Sequence, residues 1–144
     1  MFTRILHAND GSDHAFNALK LALRIAKRDA AELHMISVEE RGHMPELNEE
    51  KDAANEEKDA AATTVRFDKT LQQARALAEK DHVKLHTHVL AGHPARTVLK
   101  LASDLGVDLI VVGASGHSAL YDRMIGSRAQ KILHHATCPV LVVK

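Results

Sequence analysis

Three glycines and one serine near the end of the chain have the types and spacing that suit a bound anion. Gly113 and Gly116 are separated by two residues, and Gly126-Ser127 follows nine residues later. A glycine has no Cβ, so its backbone N–H group can approach a ligand closely, and the free N–H groups of a helix N-terminus favour negative charge. The segment therefore predicts a phosphate-binding loop. The alternative is that its glycines serve only tight turns.

The elements that must position this loop alternate between short apolar runs and amphipathic segments. Apolar runs of about four to eight residues predict strands, and apolar residues at steps of three and four predict helices. Strands are predicted at 2–8, 33–38, 83–90, 108–112 and 140–143. Helices are predicted at 13–29 with Ser12 as the cap, from Pro94 to a stop at Gly106, and around Ile132 and Leu133 after the glycine loop.

This order of elements predicts a single-domain α/β fold. Alternating strands and helices form a parallel sheet, here five-stranded, with helices on both faces. The runs 109–112 and 140–143 are continuously apolar, as strands buried on both faces are. Ligands of such sheets bind beyond the carboxyl ends of the strands, where the strand order reverses. The turns after the first and fourth strands are therefore the candidate site.

The acidic, alanine-rich segment from Glu39 to Ala62 has little apolar periodicity. It is either a solvated loop or the exposed start of a helix that continues through Phe67, Leu71 and Ala74. We expect a variable insertion without chemistry.

Composition excludes several classes of function. Nineteen basic and nineteen acidic residues cancel, and no basic stripe suggests nucleic-acid binding. No apolar run approaches the roughly 18 residues of a membrane span, and the first run turns polar at His7, so we expect a cytoplasmic protein. The single cysteine, Cys138, is interpreted as a small buried side chain.

Eleven histidines raise the question of a metal site. His86 and His88 would share one face of a strand, and His134 and His135 lie near a helix end. None has a convincing ligand spacing, so no metal site is predicted. His117 follows Gly116 directly, and a loop histidine facing solvent is the simplest interpretation.

The chain resembles the ATP-binding branch of the universal stress protein family. The resemblance rests on the glycine pattern Gly-x2-Gly-x9-Gly-Ser, preceded by 108–112 and followed by 138–143, and on Asp10-Gly11-Ser12 after the first strand. It covers nearly the whole chain, 1–144, as one domain with a variable acidic segment at about 39–62. It implies a Rossmann-like fold of the adenine nucleotide alpha hydrolase type.

The resemblance also implies a set of nucleotide contacts. Asp10 would hold a ribose hydroxyl, since a carboxylate suits hydroxyl donors, although helix capping is its alternative role. Val38 would meet the adenine edge through its backbone, and Gly113 would contact the ribose. Phosphates, with a Mg²⁺ ion, would lie on the loop and on the amide of Arg128. The full set is Ala8, Asn9, Asp10, Val38, Gly113, Ser115, Gly116, Gly126, Ser127 and Arg128.

Two residues depart from the family pattern. Ala8 stands where many relatives have proline, which implies a slightly looser adenine wall. Arg128 stands where an aliphatic residue is common, and its side chain either pairs with phosphate or points to solvent.

The resemblance leaves three functions open. The first is an ATP-dependent stress-response sensor or regulator that needs no catalysis. The second is a slow ATPase or nucleotidyl-transfer enzyme, which the absence of a lysine in the glycine loop disfavours. The third is a nucleotide-free dimeric scaffold, which the intact glycines disfavour. Family members pair through the last strand, so a homodimer through 140–143 is also expected.

Overall fold

The computed structural model describes residues 1–40, 53–114 and 124–144, and residues 53–66 by their backbone alone. The described chain alternates strictly between strands and helices. The elements are β1 Arg4–Ala8, α1 Asp13–Asp29, β2 Glu32–Glu40, α2 Ala53–Lys80, β3 Leu85–Gly92, α3 Pro94–Leu105, β4 Leu109–Gly113, α4 Ser127–His135 and β5 Val140–Val143. No helix in this part of the chain has the length and apolar content needed to cross a membrane.

The five strands form one parallel sheet in the order β3-β2-β1-β4-β5. Strands β1, β2 and β3 are added one after another toward one edge of the sheet. The chain then returns to the centre, and β4 and β5 are added on the other side of β1. The strand order therefore reverses between β1 and β4, whose carboxyl ends lie side by side. The predicted five-stranded parallel sheet is confirmed, and its strand order reverses at the edge where the candidate site was predicted.

Helices cover both faces of the sheet, as predicted, and each face has its own core. One core packs α1 and α2 on the sheet through residues such as Leu19, Leu71 and Val111. The other packs α3 and α4 on the opposite face through residues such as Val98 and Ile132. Side chains of β1 and β4 alternate between the two cores because successive residues of a strand face opposite ways.

Three predicted helix boundaries are confirmed. The Ser12 side chain accepts a hydrogen bond from the N–H of Ala15 at the start of α1, which satisfies a donor that the helix cannot. Pro94 opens α3, and Gly106 closes it in the left-handed conformation that glycine adopts without steric cost. Both helices therefore begin at the edge where strands β1 and β3 end.

The structure decides between the two alternatives for the acidic segment and differs from one prediction. The acidic segment is helical from Ala53 onward, in the helix that continues through Phe67 and Leu71, and its residues 41–52 lie outside the described residues. Strand β5 is only half-buried along its length, not buried on both faces. The reason is its position, because β5 is an edge strand that pairs only with β4 among the described strands.

Candidate functional site

A cavity of about 690 Å³ opens where β1 and β4 end, between the starts of α1, α3 and α4. Its volume lies within the roughly 300–1,000 Å³ of small-molecule sites. Eight of the predicted site residues line it: Ala8, Asn9, Asp10, Val38, Gly113, Gly126, Ser127 and Arg128. The other two, Ser115 and Gly116, lie outside the described residues, as does His117.

The turn after β1 is tied to the neighbouring strand. Asn9 is buried; its N–H donates to the carbonyl oxygen of Ile36 (2.9 Å) and its carbonyl oxygen accepts from the hydroxyl of Ser37 (2.8 Å). Its side-chain Oδ1 accepts from the N–H of Gly11 (2.8 Å). Asn9 thus acts through these bonds to hold the floor of the cavity in place.

Asp10 projects from this turn with one oxygen in use. Its Oδ1 accepts the N–H of Ser12 at 2.9 Å, and no described residue donates to Oδ2. The helix cap itself is Ser12, so the alternative role of Asp10 as the capping carboxylate is wrong. A half-buried carboxylate oxygen beside the cavity remains able to accept a hydroxyl donor.

Gly113 ends β4 against the first turn of α1. A Cβ built there would lie 2.9 Å from the carbonyl carbon of His14 and 3.0 Å from the nitrogen of Ala15. Such contacts with backbone atoms cannot be relieved by a side-chain rotation. A glycine is required here for packing, and the close approach keeps the turns after β1 and β4 adjacent.

Helix α4 begins at the cavity, and no side chain among the described residues caps it. Its N-cap residue is Gly126, whose N–H donates to the carbonyl oxygen of Ala114 at 2.6 Å. The first backbone bond of the helix runs from Gln130 to Gly126. The N–H groups of Ser127 and Arg128 have no acceptor within the helix, so the positive end of α4 is directed at the cavity.

The Arg128 side chain forms an ion pair beside the cavity. It donates from Nη2 to Oε2 of Glu40 at 2.5 Å, and both side chains are about half exposed. Glu40 ends β2, so this ion pair joins the end of β2 to the start of α4 beside the cavity. A phosphate that recruited Arg128 would have to compete with this carboxylate.

The opposite wall of the cavity is apolar, and the sequence predictions missed most of it. Pro94, Ala95 and Val98 on the first turns of α3 line this wall together with Ile36 and Ile132. The sequence contained one signal for this wall, which is Pro94. It marks a helix that starts just after β3, and the first turn of such a helix must lie at the sheet edge where the strands end.

One buried histidine lies close beneath the site. His7 on β1 is fully buried, its Nδ1 lies 3.0 Å from the carbonyl oxygen of Val111, and its Nε2 has no partner among the described residues. Burial lowers the pKa of His7 to about 4, against smaller raising effects of the Val111 carbonyl and the Asp10 charge. The imidazole is therefore neutral at physiological pH.

Stability should fall in mild acid because of His7. The unfolded chain takes up a proton near pH 6.5 and the folded chain only near pH 4, so unfolding is favoured as the pH drops between these values. The cost is about 2 kcal/mol at pH 5 relative to pH 8. Urea unfolding at several pH values between 5 and 8 measures this fall in the free energy of unfolding. His7→Leu should make the free energy of unfolding less dependent on pH, and His134→Leu, the control, should not. If the wild type and His7→Leu depend on pH equally, His7 is not the cause of the acid sensitivity.

Comparisons with known proteins agree on one family. The family model described as "Universal stress protein family" matches residues 1–144. The chain is 34% identical to the universal stress protein YxiE of Bacillus subtilis over 157 residues, covering 100% of both chains. The structure of universal stress protein UspA from Lactobacillus plantarum superposes with a TM-score of 0.78 at 31% identity, covering 99% of this chain and 97% of that one.

Two further solved structures share the fold at lower identity. One is a universal stress protein in complex with cAMP (TM-score 0.74, 22% identity, 99% and 97% covered). The other is the universal stress protein from Archaeoglobus fulgidus in complex with dAMP (TM-score 0.68, 20% identity, 100% and 98% covered). With a family match over its whole length and a full-length relative at 34% identity, the chain belongs to the universal stress protein family.

Proposed function

We propose that the protein binds ATP in the cavity at the carboxyl ends of β1 and β4 and acts as a nucleotide-dependent stress-response regulator. The observation that carries the proposal is the two-sided character of this cavity. An apolar wall from α3 and β2 suits a flat base, and the uncapped N-terminus of α4 suits phosphates. A nucleotide presents these two chemistries at opposite ends.

The polar groups between the two walls suit a ribose. Asp10 offers Oδ2 to a ribose hydroxyl, with Oδ1 fixed on Ser12. The backbone at Val38 meets the adenine edge, and the backbone of Gly113 contacts the sugar at the end of β4. The N–H groups of Ser127 and Arg128 receive the phosphates, with Mg²⁺ shared among phosphate oxygens.

Relatives with the same fold support an adenine nucleotide in general. Solved universal stress proteins hold cAMP in one case and dAMP in another. Their identity to this chain is 22% and 20%, so they do not choose among the adenine nucleotides. The choice of ATP rests on the glycine pattern Gly-x2-Gly-x9-Gly-Ser, which resembles that of the ATP-binding branch.

The proposal is tested first on the protein as it comes from the cell. Protein purified without added nucleotide is denatured, and the supernatant is separated by ion-exchange chromatography. We expect the supernatant to contain an adenine nucleotide in an amount comparable to that of the protein. If the purified protein holds no nucleotide, we expect it to bind nucleotide again when it is incubated with Mg-ATP. A folded, nucleotide-free protein that neither retains nor regains nucleotide would overturn the proposal.

A homodimer through β5 is proposed as part of this function. Strand β5 is an edge strand, its four residues are apolar and half-buried, and its outer backbone groups face no other strand of the sheet. Such an edge favours pairing with another chain. Light scattering at micromolar concentration should give twice the chain mass, and Leu141→Lys should give one chain mass. A monomer in the wild type contradicts the dimer.

A further inference from the structure

A cluster of three histidines and a glutamate lies on β2 and the edge strand β3, toward the amino end of the sheet. His34 is paired in register with His86, and Glu32 and His88 each lie two residues away along their own strand. Alternate residues of a strand share a face. All four side chains therefore project from the face that α3 and α4 cover, away from the nucleotide cavity.

The side chains are in direct contact. His34 Nε2 lies 2.5 Å from Glu32 Oε1, and His34 Nδ1 lies 3.0 Å from His88 Nε2. The ring of His86 stacks on that of His34 with centroids 4.6 Å apart. One ligand atom each from Glu32, His34 and His86 fall within 4.8 Å of one another.

A tetrahedral zinc site places neighbouring ligand atoms about 3.3 Å apart, given metal–ligand bonds of about 2.0–2.1 Å. To reach this spacing, Glu32 Oε1 moves about 0.8 Å away from His34 Nε2. The His86 ring turns out of its stacking on His34, so that an in-plane nitrogen lone pair points at the ion. His34 is buried and fixed, whereas Glu32 is exposed and His86 is half-buried, so the two partners can adjust. A cavity of about 420 Å³ lined by Glu32, Lys84 and His86 gives an ion access from solvent.

We propose that Glu32, His34 and His86 bind one divalent transition-metal ion, Zn²⁺ in the first instance, with water completing the coordination. Two imidazoles and a carboxylate are ligands that zinc prefers. The ion replaces the proton between His34 Nε2 and Glu32. His34 then carries its proton on Nδ1, and this N–H donates a hydrogen bond to His88 Nε2. Hydrogen bonds of this kind orient metal-bound histidines.

Two cations lie beside the cluster. Arg4 Nη2 is 3.6 Å from Glu32 Oε2, and Lys84 lines the access cavity. A metal ion must therefore compete with Arg4 for the Glu32 carboxylate.

The test is a calorimetric titration of metal-free protein with Zn²⁺, together with thermal unfolding with and without the ion. We expect one Zn²⁺ per chain at micromolar affinity or tighter and a raised unfolding temperature. His86→Asn and Glu32→Gln should each weaken binding at least tenfold and remove the thermal shift, while His88→Asn should weaken it to a lesser degree. These variants alter half-buried or exposed residues and leave buried His34 in place.

The matched control is the double variant His134→Asn/His135→Asn, which removes a contacting pair of exposed histidines from the end of α4. Its affinity for Zn²⁺ should equal that of the wild type. Absence of stoichiometric binding, unchanged affinity in His86→Asn and Glu32→Gln, or loss of binding in the control would each overturn the site. Nucleotide takes no part in this titration, so its outcome is separate from that of the ATP proposal.

Discussion

Replacing Gly126 with leucine should lower the affinity for Mg-ATP at least 100-fold. Gly126 is the N-cap of α4 and lines the cavity beside Ser127 and Arg128. A leucine there would stand between the phosphates and the free N–H groups. Hydrogen bonds to charged groups contribute about 1.5–3 kcal/mol each, so losing two amounts to a factor of roughly 100 or more.

The leucine should leave the fold intact. Gly126 has φ −65° and ψ 160°, which any L-residue adopts. The weaker capping of leucine costs the helix about 1 kcal/mol at most. Calorimetry measures the affinity and urea unfolding measures the stability. Lys131→Leu, on an exposed position of the same helix, is the matched control and should bind as the wild type does. Equal affinity in Gly126→Leu would place the nucleotide elsewhere.

Replacing Asp10 with alanine should weaken Mg-ATP binding about 10- to 100-fold. The variant removes the carboxylate oxygen that we assign to a ribose hydroxyl, and a charge-assisted hydrogen bond of this kind contributes about 1.5–3 kcal/mol. It also removes the bond from Asp10 Oδ1 to the N–H of Ser12, which shapes the turn. The two losses must be separated.

Asp10→Asn separates them, because the amide oxygen can still accept from Ser12 while the charge is gone. Its affinity should fall between those of the wild type and Asp10→Ala. Ribose specificity gives a second control: deoxygenated ATP analogues should bind the wild type more weakly than ATP, and Asp10→Ala should no longer distinguish them. If Asp10→Ala keeps the full preference for the ribose hydroxyls, the carboxylate does not touch the sugar.

The sequence predicted the fold well because local signals agreed with the global arrangement. Ser12, Pro94 and Gly106 mark helix ends by their own chemistry, and those ends are observed. The apolar runs located all five strands, although bounds shifted by one or two residues, as in β2, which extends to Glu40. Position within the sheet is a tertiary property. The apolar run 140–143 suited both a strand buried on both faces and an exposed edge, and only the strand order shows that β5 lies at an edge.

The site was predictable where it follows directly from strand ends and glycines. Residues such as Asp10 and Gly126 line the cavity because parallel strands end at a common edge. The ion pair of Arg128 with Glu40 was not predictable, since it joins residues 88 apart in the chain. The histidine cluster was missed for the same reason: His34 and His88 are 54 residues apart, and only the register of β2 and β3 brings them together.

The most direct test of the account is a calorimetric titration of folded, nucleotide-free protein with Mg-ATP. We expect saturable binding of one nucleotide per chain, weaker binding of adenosine because it lacks the phosphates for α4, and binding at least 100-fold weaker in Gly126→Leu. Absence of heat and of any thermal stabilisation by Mg-ATP in the wild type would contradict the account. The cavity would then serve another ligand, and the glycines at 113 and 126 would be explained by packing and turns alone.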